Sequence, residues 1–255
     1  MLDGSLHHLT DEGNIKYILA NVTGPTSRYF SKNHRSFLWI DDVILVIDDV
    51  CSHEDGTFSL LFHPDGVSRK NGIDLSVVNQ QAAVDIRPLW PDYLTESDFE
   101  HDFPYNLKLK AHQGPKAKKT DEMETYYSVT YPIKAQSVKF ITAIILKDSP
   151  TSKNIPQVTR LKGDDLQGVR IAKGDKITDV YLNTRADGHI MHRNSCTNVN
   201  GWDTDAYLLA FSYKKGTDPA VSKNILEWFI GYGSYVRNAH ESIFDSYTKK
   251  YKVIR

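Results

Sequence analysis

The stretch Asn33-His34-Arg35-Ser36-Phe37-Leu38-Trp39-Ile40-Asp41-Asp42-Val43-Ile44-Leu45-Val46-Ile47-Asp48-Asp49-Val50 decides the fold class. Phe37 to Ile40 and Val43 to Ile47 are short runs of β-branched, aliphatic and aromatic residues, the composition that suits a pleated, half-buried surface. Asp41-Asp42 between them has turn chemistry. A third run, Phe58 to His63, follows Cys51-Ser52-His53-Glu54-Asp55-Gly56, which reads as a second hairpin turn. The three runs are expected to form an antiparallel meander.

Working outward, Ile15 to Val22 and Arg28-Tyr29-Phe30 read as strands separated by Gly24-Pro25, and Ile73 to Val78 and Ala82 to Ile86 as two more. Strand patterns return at Tyr126 to Tyr131 and Val138 to Leu146. They recur at Val158 to Leu161, Gly168 to Ala172, Thr178 to Asn183, Gly188 to Met191 and Ala206 to Tyr213. No window sustains a helical apolar period. Strands of the usual length, about 5–6 residues, number roughly fifteen here, more than a small immunoglobulin-like unit needs. The expectation is all-β: a large antiparallel two-sheet β-sandwich of the super-sandwich type. It spans 1–255 as one domain with a long irregular excursion at about 88–122, and the segment from about 215 to 255 could form a smaller closing β unit.

The bulk composition excludes several classes. A 40% hydrophobic content over 255 residues is enough to bury a sizeable core. Lys and Arg number 31 against 32 Asp and Glu, so no global field draws the chain to nucleic acid or to a membrane surface. No segment approaches ~18 consecutive apolar residues, and the start lacks a basic stretch followed by an apolar run, so no export signal is read. Cys51 and Cys196 could be paired or free, and two cysteines cannot make a metal cluster alone. Asn21-Val22-Thr23 matches a glycosylation sequon, a pattern common by chance.

The quoted stretch, followed by Leu60-Leu61-Phe62-His63, resembles the β-sandwich portion of heparinase II/III-type polysaccharide lyases, in which an Arg opens a strand, an apolar strand ends in Asp and a later strand ends in His. The Tyr17 to Tyr29 region, Asp179 to Leu182 and Thr204 to Tyr207 resemble it too. The resemblance implies β-elimination on an acidic, uronate-containing polysaccharide, with the carboxylate neutralised and a Tyr or His moving protons. It also implies a periplasmic or extracellular setting. In that family an α-helical toroid precedes the sandwich and supplies the Asn and Tyr, while an essential His and metal ligands come from early sandwich strands. The chain shows neither a helical toroid nor a His-x-His followed by Asp and Gly near its start. No catalytic or metal residue therefore carries over, no cofactor is implied, and the implied partners are an acidic polysaccharide and a missing toroid.

Candidate carbohydrate contacts each have a plainer structural reading. His63 at a strand end could carry protons near neutral pH or serve as a structural donor. Arg35 with Asp48 or Asp49 could hold a sugar acid or form a cross-strand ion pair. Lys116, Lys118 and Lys119 lie in a basic run from Lys108 that could attract a polyanion, or form a solvated loop offset by Asp121, Glu122 and Glu124. Trp90, Tyr93, Tyr105, Tyr126 and Tyr127 could stack on sugars or pack on the sheet. His189 and His192 with Cys196 are the nearest approach to a metal set, but positions three apart on a strand face opposite sides. The expected function is a lyase sandwich, inactive alone, that serves as scaffold or substrate wall; a stand-alone carbohydrate-binding sandwich is the alternative. A complete enzyme of another family lacks any supporting motif, such as a nucleophile elbow or phosphate loop.

Overall fold

The computed structural model describes residues 3–80, 82–91, 107–116, 119–163, 165–186 and 196–255. Among these, regular structure is almost all strand: helical turns occur at Thr23–Thr26 and Ser222–Asn224. The chain is all-β, built from two antiparallel sheets. It divides into two compact units, one of Met1–Leu9 with Tyr17–Ile155 and one of Thr10–Lys16 with Pro156–Arg255.

The first sheet comprises β1 (Ser5–Thr10), β2 (Ile15–Asn21), β3 (Phe30–Ile40), β4 (Val43–Phe62), β5 (Val67–Asn71), β6 (Asp74–Asn79), β7 (Ala82–Trp90), β8 (Lys108–Lys116) and β9 (Lys119–Lys147). Its order is β1-β2-β3-β4-β9-β7-β6-β5, with β8 beside β9. The hairpin read at Asp41-Asp42 forms, in a register running from Ile40↔Val43 to Arg35↔Asp48. Asp41 takes a left-handed φ of 49°, which Asp tolerates in a turn.

The second expected hairpin does not form. β4 runs on from Val43 to Phe62, and Cys51–Gly56 is a bulged bend within it. There Cys51↔Ser137 gives way to Gly56↔Ala135, an advance of five positions on β4 against two on β9. Because β9 is itself 29 residues long and pairs β4 on both sides of the bend, the surplus residues are absorbed as a bulge. Ser52 Oγ donates towards Gln136 O (3.2 Å) and Glu54 O (2.5 Å), giving the irregular backbone partners. Of the Arg28-Tyr29-Phe30 strand expected upstream, only Phe30 joins β3; Tyr29 N bonds Thr26 O in a turn.

Part of the 88–122 stretch is also strand. Pro88 to Trp90 complete β7, and β8 pairs β9 through His112↔Tyr126 and Gly114↔Glu124. Leu107 and Leu109 are buried, but the lysines alternating with them mask the period of two. The sheet curls around its own core, in which Phe58, Leu60, Leu75, Ile86, Leu109, Val129 and Phe140 pack together. Across the curl, Ser68 Oγ lies 2.7 Å from Tyr127 OH, and Lys70 Nζ donates to Leu109 O.

The second sheet comprises β10 (Gln157–Gly163), β11 (Leu166–Lys173), β12 (Lys176–Asn183), β13 (Thr197–Val199), β14 (Trp202–Thr204), β15 (Leu208–Lys214), β16 (Ile225–Arg237) and β17 (Ser242–Ile254). Its order is β10-β11-β12-β15-β16-β14-β13, with β17 beside β16. The expected strand at Gly188 to Met191 lies outside the described residues. Trp202 and Trp228 meet edge to face at 5.1 Å in a core with Phe211, Leu209 and Val236. Gly13 (φ +76°) lets the 10–16 segment approach closely, since a Cβ there would lie 1.9 Å from Glu227 Oε1; Asn14 N donates to that same oxygen at 3.0 Å.

Candidate functional site

The pairings Phe62↔Tyr127 and His112↔Tyr126 set His63, Tyr126 and His112 in one row across β4, β9 and β8. Their rings stack, His63 on Tyr126 at 5.2 Å and 14° and His112 on Tyr126 at 4.9 Å and 16°. Gly114 makes room for the middle ring, since a Cβ there would meet Tyr126 Cε1 at 3.0 Å. His63 Nδ1 lies 3.2 Å from Glu124 Oε1, and His112 Nε2 lies 2.8 Å from Ser128 Oγ. Because an imidazole covers each face of Tyr126, its edge and hydroxyl are what it offers a ligand. The row has polar neighbours on the same sheet face: exposed Lys110, and Ser59 bonded to Thr130 at 2.7 Å.

Arg35 takes the cross-strand arrangement, its Nε donating to Asp48 Oδ1 at 2.6 Å. Asp48 is buried, and its Oδ2 has no hydrogen-bond partner. Burial raises its carboxyl above the usual carboxylate range, and Arg35 only partly offsets this. The adjacent Asp49 behaves oppositely. Burial alone would raise it, but Lys139 (2.5 Å) and Lys32 (2.7 Å) reverse the effect and hold it below its ordinary range.

Trp90 is buried at the end of β7, with only 5% of its surface exposed. Tyr93, Tyr105 and Lys118 lie outside the described residues, as do His189 and His192. Lys116 and Lys119 face each other across the end of the β8–β9 hairpin, with side chains outside the description. Cys51 and Cys196 form no disulfide, and Cys196 Sγ lies 2.7 Å from Tyr235 OH. Among the described residues no three His, Cys, Asp or Glu converge as metal ligands, and no helix is long and apolar enough to cross a membrane. In the second unit, Arg170 grips the fully buried Asp179 through Nε and Nη2 (2.7 and 2.8 Å), with Tyr213 OH on the same carboxylate at 2.9 Å. Burial pushes the neighbouring Tyr181 up to about 12. This cluster is a strand clamp rather than a proton relay near neutral pH.

The sequence reading passed over an open cleft of about 580 Å³ at the bend of β4, lined by Arg28, Tyr29, Phe30, His53, Glu54 and Phe58 among others. Phe30 and Phe58 lie 6.4 Å apart. Tyr29 is 62% exposed, with the Arg28 guanidinium 5.4 Å over its ring. Two bonds tie the bend to the turn before β3, His53 N to Tyr29 O (3.1 Å) and His53 Nε2 to Ser27 O (2.9 Å). A carbonyl only accepts, so Nε2 carries a proton, and in the neutral tautomer that has it there Nδ1 is the acceptor. The signal that could have found the cleft is the polar, glycine-bearing 51–56 segment, read as a bulge instead of a turn.

No family model and no curated protein matches the sequence. Among solved structures, a crystal structure of heparinase III is similar with a TM-score of 0.52 at 12% identity, over 71% of this chain and 27% of that one. A heparan sulfate lyase from Pedobacter heparinus gives 0.51 at 12% identity, over 73% and 29%. A heparinase III with methylated lysines gives 0.50 at 12% identity, over 83% and 27%. The chain spans just over a quarter of the length of these structures. In fold, this chain is therefore the counterpart of the C-terminal-domain-like part of heparinase III, as the sequence resemblance implied.

Proposed function

We propose that the chain is the β-sheet portion of a heparinase III-like polysaccharide lyase, acting as scaffold and as one wall of a site for uronate-containing polysaccharide. The observation that supports it is the likeness in fold to little more than a quarter of heparinase III. Proton abstraction beside a uronate carboxylate needs groups preorganised on both sides of the sugar. An α-helical toroid supplies the other side, the acidic glycan is the partner, and the setting is periplasmic or extracellular. Among the described residues His63, Tyr126 and the half-exposed Arg35 are the glycan contacts, the buried Trp90 supports the sheet behind them, and Tyr93, Lys116, Lys118 and Lys119 are proposed from the sequence alone.

The test adds a helical toroid domain in trans and follows unsaturated uronide formation from heparan sulfate. Product that requires both parts is the expected result. Glycan retention by this chain with no product in any combination would instead favour a carbohydrate-binding module without chemistry, the reading that the cleft at the β4 bend supports. Retention unaltered by changing Lys116, Lys118 and Lys119 to Ser would remove those lysines from the surface.

A further inference from the structure

We infer that the cleft at the bend of β4 is a subsite for a single uronate-type sugar, with Arg28 as the carboxylate contact. This rests on the polysaccharide reading above and adds a location and a ligand chemistry to it. The cleft volume falls within the roughly 300–1,000 Å³ usual for small-ligand sites.

Its lining asks for one combination of ligand properties. Phe30 and Phe58 give an apolar floor, and the exposed Tyr29 ring offers a stacking face of the kind that takes the C–H side of a sugar. Arg28 lies over that ring, and no ion-pair partner for it occurs among the described residues, so its N–H fork is open to a planar carboxylate. His53 Nδ1 and the Glu54 carboxylate are acceptors, matched to sugar hydroxyls. A ligand with one anionic group, several hydroxyl donors and an apolar ring face is an acidic monosaccharide unit. A densely sulfated segment fits less well, because the cleft lining carries the Glu54 carboxylate as well as the Arg28 guanidinium.

The cleft is also held in shape before any ligand arrives. The two His53 bonds join its walls. Thr26 Oγ1 bonds Val22 O at 2.8 Å and takes Asn33 Nδ2 at 3.1 Å, fixing the turn that carries Arg28 and Tyr29. A preformed site loses less ordering entropy on binding. Gly56 lines the cleft, and a Cβ built there meets nothing within 4 Å, so a larger side chain can enter the space without disturbing the backbone.

Calorimetry of the full chain with a hyaluronan oligosaccharide, its carboxyl-reduced analogue and a heparin oligosaccharide tests the inference. Hyaluronan is expected to bind more tightly than either. Arg28→Gln should weaken it roughly 10- to 100-fold, the loss of one charge-assisted contact. Carboxyl reduction should cost the wild type a similar factor and cost Arg28→Gln almost nothing more. Gly56→Leu should abolish binding with the unfolding midpoint unchanged, whereas Gly56→Ala should retain it. Binding indifferent to Gly56→Leu, equal losses from Arg28→Gln for both hyaluronan forms, or no binding of any of the three would overturn the subsite. Cleavage with the toroid that survives Gly56→Leu would overturn only the subsite and leave the lyase reading intact.

Discussion

Replacing Asp49 with Asn tests how the sheet around the cleft is held together. Asp49 is 4% exposed, and its Oδ2 receives Lys32 Nζ of β3 at 2.7 Å and Lys139 Nζ of β9 at 2.5 Å. One carboxylate thus ties three adjacent strands just before the bend at Cys51. The lysine side chains are themselves only 15% and 14% exposed, so an amide at position 49 removes the carboxylate that two nearly desolvated ammonium groups share. Breaking such a buried pair costs about 3–5 kcal/mol, a large share of the roughly 5–15 kcal/mol available to a domain.

The pH dependence fixes the cause. Asp49 is held below the ordinary carboxylate range, so its contribution is present above that range and disappears as pH falls through the depressed folded value. Urea denaturation followed by circular dichroism should show the full deficit of Asp49→Asn at neutral pH and a shrinking one in strong acid. Changing all three residues together, Lys32→Met, Asp49→Leu and Lys139→Met, should recover most of the loss. A deficit below about 1 kcal/mol at neutral pH, or one independent of pH, would mean that the Asp49 carboxylate does not tie the three strands.

Two further outcomes follow from the same geometry. Asp48→Asn, one residue earlier, should cost about 1 kcal/mol or less at neutral pH, because its Arg35 partner is half exposed and Oδ2 has no hydrogen bond. Its folded carboxyl is raised, so the wild type should gain on the variant as pH falls towards the ordinary carboxylate range, the reverse of Asp49. Trp202→Ala should lower stability by about 3–5 kcal/mol in urea titration, since the ring is fully buried, packs edge-on to Trp228 and donates to Pro219 O.

The strands with dense apolar character were legible in the sequence because burial on one or both faces leaves a local mark. The end of β3 from Phe37 to Ile40, β12 and β15 are examples, as is the apolar half of β4. The bend of β4 was not legible, because Ser52, Glu54, Asp55 and Gly56 serve a bulge as readily as a reversal, and only the continuous partner β9 decides between them. β8 was hidden because lysines occupy its outer face and only Leu107 and Leu109 mark its inner one. His63 and Tyr126 were each singled out, yet their stacking depends on a register between strands more than sixty positions apart, and His112 joins them through the β8–β9 hairpin. Arg28, Tyr29 and His53 form no sequence motif. They meet because a turn and a bulge are hydrogen-bonded to each other, which is information carried by topology.

This chain shares the fold of one portion of heparinase III, and the proposal made for it is that elimination needs a second, helical part. Incubating the purified chain, Met1 to Arg255, with heparan sulfate and with unsulfated uronate glycans, and recording unsaturated uronide absorbance over time, tests it directly. A flat trace is expected from the chain alone; absorbance that grows with protein concentration would show that it cleaves without a second part.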